Sequence, residues 1–101
     1  MRLKVGQALK SAVDGTAVIV TRAPAGDVVL TCGGVAMHPK GEEPPTGSPD
    51  DDQMGGTLLG KRYADAEGRL ELLCTAGGSG TLAMDGDPLE VQGAKPLPAS
   101  D

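Results

Sequence analysis

The sequence predicts an all-β chain, and three observations predict it. Short runs rich in Val, Leu and Thr recur between turn residues. Sixteen glycines and eight prolines interrupt every stretch long enough for a helical stripe. The chain has no Phe or Trp and one Tyr, so its core has to come from aliphatic side chains. At 101 residues it is long enough for one folded domain.

Taken in order, "TAVIV" (16–20) and "VVLTC" (28–32) are strand-like, with Pro-Ala-Gly turn chemistry between them, and read as a hairpin. "RLELLCT" (69–75) and "GTLAM" (80–84) flank "AGGS" and read as a second hairpin. Asp85-Gly86 favours positive φ and marks a further tight turn. About six short strands and little or no helix are expected.

The two hairpin regions align with each other. Gly15 falls on Gly68, Val18 on Glu71 and Val20 on Leu73, a spacing of 53 residues. Leu30 falls on Leu82, Gly34 on Gly86 and Met37 on Leu89 at a spacing of 52, and Gly6 lies on Gly60 at 54. The expected organisation is one folded domain made of two tandem β units, 1–37 and 56–93, related by an approximate internal two-fold. Between them, 38–55 forms an acidic, Pro-rich, flexible linker, and 94–101 forms a C-terminal tail.

Charge narrows the function classes. The net charge of −5 argues against nucleic acid as a partner, which needs a basic face. Most of the net charge sits in the linker, where Glu42, Glu43 and Asp50–Asp52 outweigh the single Lys40. Gly60-Lys61-Arg62 is too small a basic patch to offset that. The N-terminus has no signal-like apolar stretch and no segment could span a bilayer, so the expected setting is cytoplasmic with no membrane partner. Cys32 and Cys74 are then expected as free thiols.

Few residues carry chemistry. Asp14, Cys32 and His38 include a carboxylate, a thiolate and an imidazole, all zinc ligands. The plainer alternative makes Asp14 a turn residue, Cys32 a small buried hydrophobe and His38 the start of an exposed linker. A reactive Cys32 would need nearby positive charge, and none is close in sequence. Cys74 lies mid-strand and reads as core. "SPDDDQMGG" lacks the alternating carboxylates of a calcium loop, and "AGGSGT" lacks the lysine and spacing of a phosphate loop. Tyr63, aligned with Lys10, either anchors the core or marks a protein contact, with Met37 and Cys32 as companion contact residues.

Both units, "KSAVDGTAVIVTRAPAGDVVLTCGGVAM" and "YADAEGRLELLCTAGGSGTLAMDGDPL", resemble desulforedoxin, the small rubredoxin-like iron module. The shared rhythm is a knuckle, glycine, strand, Gly-bearing loop, strand and a closing Cys-Gly with Met behind. The resemblance implies a short β unit that works as a symmetric dimer and holds iron through a Cys-x-x-Cys knuckle and an adjacent cysteine pair. This chain departs from that ligand set. Ser11 and Asp14 stand in the first knuckle, and Cys32 and Gly33 at the first pair. Ala64 and Glu67 stand in the second knuckle, and Met84 and Asp85 at the second pair. Rubredoxin-type electron transfer therefore does not carry over.

The expected function is a non-enzymatic accessory or protein-interaction module with no cofactor. It docks on a protein partner such as an enzyme, or forms a homo-oligomer, through its β surface and free strand edges. The alternative is a small zinc- or iron-binding protein using Asp14, Cys32 and His38, across an oligomer interface if need be. A ligand carrier or small enzyme with a cleft between the units is a third class.

Overall fold

The computed structural model describes residues 2–44 and 46–92, the last by its backbone alone. Met1, Pro45, Gly93 and the expected tail 94–101 lie outside the described residues. The fold is all-β, in two antiparallel sheets, with no α-helix among the described residues. The larger sheet contains β1 (Ala8–Lys10), β2 (Ala17–Arg22), β5 (His38–Pro39), β6 (Arg62–Ala64), β7 (Glu71–Ala76) and β10 (Glu90–Gln92). The smaller contains β3 (Leu30–Cys32), β4 (Val35–Ala36), β8 (Leu82–Met84) and β9 (Asp87–Pro88). Their orders are β10-β6-β7-β2-β1-β5 and β4-β3-β8-β9.

Period-two alternation decides which side chains meet between the sheets. Val18 and Val20 of β2, and Leu72 and Cys74 of β7, point inward with Leu9 and Tyr63. They join Leu30, Cys32, Leu82 and Met84 of the smaller sheet in one core cluster. Full burial of each larger aliphatic side chain contributes about 1.5–3 kcal/mol. Leu3, Met37, Leu70 and Leu89 close the ends.

The pairing is symmetric when β1–β5 are exchanged for β6–β10. Leu9 pairs with Val18 as Tyr63 pairs with Leu72, and Thr31 with Ala36 as Ala83 with Pro88. Across the middle the partners are reciprocal: Val18 pairs with Cys74 while Val20 pairs with Leu72, and Ile19 pairs with Leu73. In the smaller sheet Leu30 pairs with Met84 while Cys32 pairs with Leu82. Turn bonds follow the same rule. Gly6 N–H donates to Val20 O (2.7 Å) as Gly60 N–H does to Cys74 O (2.9 Å), and Met37 N–H to Leu30 O as Leu89 N–H to Leu82 O.

Three expectations change. The equivalence over β1–β2 and β6–β7 has a spacing of 54, not 53, so Val18 matches Leu72 and Tyr63 matches Leu9 rather than Lys10. A one-residue slip would have set inward Val18 against half-buried, outward Glu71, reversing the strand's faces. Next, 16–20 with 28–32 and 69–75 with 80–84 are not hairpins, because β2 and β7 lie in one sheet and β3 and β8 in the other. The hairpins are β1–β2, β3–β4, β6–β7 and β8–β9. Asp85-Gly86 does turn β8 into β9 at φ 51° and 89°, and Gly33-Gly34 turns β3 into β4 at 65° and 83°.

The third change concerns the linker. His38–Pro39 is a strand paired with β1, so the connection starts later than 38. Its far end is tied down: Asp50 N–H donates to Gly33 O (2.7 Å), Thr81 N–H to Gln53 O (2.7 Å) and Gly55 N–H to Thr81 Oγ1 (2.7 Å). Asp50 also caps a single 3₁₀ turn, Asp51–Gln53, through its side chain.

Candidate functional site

The chemistry-bearing residues of the first unit gather where the β1–β2 turn meets the β3–β4 turn. Ser11 N–H donates to Thr16 O, closing a loop of backbone. Inside it Ser11 Oγ accepts from the N–H of Val13 (3.1 Å) and Asp14 (3.3 Å). Asp14 Oδ1 accepts from Thr16 N–H (2.9 Å), and Asp14 Oδ2 accepts from Gly80 N–H (2.6 Å) of the second unit. The Cys32 thiol donates toward the same carboxylate, at 3.8 and 4.0 Å. Thr16 is fully buried, and its hydroxyl faces this group without an aligned hydrogen-bond partner.

Gly80 closes the cluster. A Cβ there would lie 2.7 Å from Cys32 Sγ, 2.8 Å from Gly33 N and 3.2 Å from Asp14 Oδ2. Only a residue without a side chain lets the second unit's backbone reach the Asp14 carboxylate.

The electrostatics suit a structural lock. Burial alone would raise the Asp14 pKa, but the N–H groups of Thr16 and Gly80, helped by the hydroxyls of Ser11 and Thr16, hold it below the ordinary value. Burial pushes the Cys32 thiol up, and the Asp14 charge adds to that against the pull of the Ser11 and Thr16 hydroxyls. Cys74, whose thiol donates to Ala76 O (3.2 Å), is also raised chiefly by burial. Both cysteines are buried free thiols held in the protonated form, the opposite of an activated nucleophile.

Asp14 and Cys32 are thus brought together, as the zinc or iron alternative requires, and His38 is not. His38 stands on β5 opposite Lys10, and no group of three His, Cys, Asp or Glu is placed to hold a metal among the described residues. Ser11, Asp14 and Cys32 converge, with Gly33 next in the chain. At the observed spacing of 54, Asp65 and Gly68, not Ala64 and Glu67, stand where Ser11 and Asp14 do, and at 52 Met84 and Asp85 stand where Cys32 and Gly33 do. Neither set supplies the four N or S donors of a structural tetrahedral site.

The expected contact residues move indoors. Tyr63, Met37 and Cys32 are 5%, 2% and 0% exposed, so all three are core and none offers a surface. A core with one aromatic uses that residue inside, and the Tyr63 hydroxyl accepts from Leu58 N–H (2.9 Å). What composition did not single out are the exposed apolar side chains: Val29, Met54 and Val91 and, most exposed, Val5, Leu58 and Leu59 on two separate turns closed by Gln7 N–H to Lys4 O and Lys61 N–H to Leu58 O. Two leucines directly before Gly-Lys was the available signal.

The chain matches no family model, no curated protein and no solved structure. No helix among the described residues is long and apolar enough to cross a membrane.

Proposed function

We propose that this protein is a non-enzymatic interaction module, built from one β unit written twice, which binds a protein partner or a second copy of itself. One observation carries the proposal. Leu58 and Leu59 sit side by side on one turn at 60% and 67% exposure, and Val5 occupies the equivalent turn at 69%. A core so short of large side chains would gain from every leucine it could bury, at about 1.5–3 kcal/mol each. Apolar side chains left on turn tips are instead available for contact. The equal pairing of β1–β5 and β6–β10 supports the duplication. The closed Ser11–Asp14–Thr16–Cys32 cluster supports a structural role for what resembles a former ligand knuckle.

The strand edges support contact less than the turns do. β4, β5 and β9 are two residues long, and β5 and β9 carry Pro39 and Pro88, which blunt an edge. The turns are the contact points of this proposal, and a cytoplasmic partner such as an enzyme belongs to it.

The test is a Leu58→Gln/Leu59→Gln double variant set beside the wild type. Expected is an unchanged thermal midpoint together with loss of self-association in sedimentation velocity, or loss of a defined partner crosslinked from position 59. A wild type that stays monomeric and crosslinks to nothing of defined mass refutes the proposal. Elemental analysis showing about one zinc or iron per chain would favour the metal alternative instead.

A further inference from the structure

The outer face of the larger sheet breaks the symmetry that the backbone keeps. At spacing 54, Ala8, Gly15 and Ala17 of the first unit correspond to Arg62, Arg69 and Glu71 of the second. At these three positions the second half carries long charged side chains and the first carries methyl groups or none, whereas Lys10 of the first half corresponds to Ala64 of the second. The result is a hollow of about 410 Å³ over β1 and β2, with Ile19 in its lining and Lys10 and Lys40 beside it. That volume is in the range of small-molecule sites, roughly 300–1,000 Å³.

The charges are as uneven as the shape. Lys10 and Lys40 are exposed and make no ion pair among the described residues, whereas Arg69 is paired with Asp65 and Glu67. Two unpaired ammonium groups on a chain of net charge −5 form a local anion-attracting spot beside an apolar floor. Ala8, Gly15, Ala17 and Ala76 bring little side chain to the lining, which Ile19 and Thr75 share, so a planar ring has room there with its acid group toward the lysines.

We propose that this hollow binds a small aromatic carboxylate, a flat apolar body with one anionic group. The inference is independent of the interaction proposal, which uses the turn tips and not this face.

The test is a fluorescence titration with 2-naphthoate, repeated for Ala17→Glu, which copies Glu71 into the hollow, and for a Lys10→Gln/Lys40→Gln double variant. Expected is saturable one-site binding by the wild type, weakened about tenfold by Ala17→Glu and about fivefold by the lysine pair. Neutral 2-naphthylmethanol should bind about fivefold more weakly, and inorganic phosphate should not compete. Ala17 is only partly buried, like its counterpart Glu71, so this variant is expected to keep the wild-type circular dichroism and thermal midpoint. Absence of saturable binding, equal binding by Ala17→Glu, or equal binding of the neutral analogue overturns the proposal. So does displacement by phosphate, which would mark a bare anion spot. A dimer that excludes naphthoate and falls apart in Ala17→Glu also overturns it, because a second copy would then cover the face.

Discussion

The two β1–β2-type corners share a backbone and differ in what they do with a carboxylate. In the first, Ser11 N–H bonds Thr16 O, and Asp14 reaches out of the turn to Gly80 in the other unit. In the second, Asp65 N–H bonds Leu70 O, and the Asp65 carboxylate turns back on its own loop to accept from Leu70 N–H (2.9 Å). One corner ties the units together, and the other only shapes itself. The same turn thus serves two purposes, because its carboxylate stands at different positions: Asp14 lies three residues into the first turn, whereas Asp65 aligns with Ser11 at the start of the second.

The largest effect expected from breaking this contrast is Gly80→Ala. Its methyl group would press on Cys32 Sγ, Gly33 N and Asp14 Oδ2 together, two of them backbone or buried. A loss of about 3 kcal/mol in urea unfolding is expected, at the upper end of overpacking costs. Next comes Asp14→Asn, which exchanges a charged acceptor of two N–H groups for a neutral one and should cost about 2 kcal/mol. Asp65→Asn should cost less than half as much by the same assay, since its bonds stay within one loop. Equal losses at the two positions would mean that the two corners do not differ in what their carboxylates hold.

Acid titration sharpens it. Burial acts upward on both carboxyls, but hydrogen bonds from Thr16 and Gly80 lower Asp14, and those from Leu70 and Arg69, with the Arg69 charge, lower Asp65. A carboxyl lowered in the folded state binds protons more readily in the unfolded chain, so stability rises with pH across that interval. The stabilisation is full above about pH 5, a unit over the unfolded value, and disappears as pH falls through the folded values. Urea midpoints from pH 7 down to 2.5 should therefore decline, and Asp14→Asn should flatten the acid limb. The smallest effect belongs to Arg69→Ala. Arg69 is paired with Asp65 (3.6 Å) and Glu67 (2.7 Å), but its side chain is 61% exposed, so a change within about 0.5 kcal/mol is expected.

Much of the fold was legible in the sequence because alternation and turn chemistry are local. Val18 and Val20 announce β2, and Asp85-Gly86 announces the β8–β9 turn. Partner choice was not legible. Strands β2 and β3 are neighbours in sequence with Pro-Ala-Gly between them, yet each pairs with its counterpart from the other unit, a contact some fifty residues away. The spacing error at Val18 has a related cause, since aligning Gly15 with Gly68 hides a one-residue offset that strand pairing and burial expose. At the site, Asp14 and Cys32 could be named from residue type, whereas Thr16 and Gly80 could not. Their importance comes from a close approach between chain segments more than sixty residues apart.

Reciprocal pairing along both sheets has a consequence for how the polypeptide is held as one object. The covalent thread between the units is not what joins them, because β2 with β7 and β3 with β8 form a continuous seam through the interior. A protease nick at exposed Gly41–Glu43 would leave two fragments gripping each other like the subunits of an obligate heterodimer.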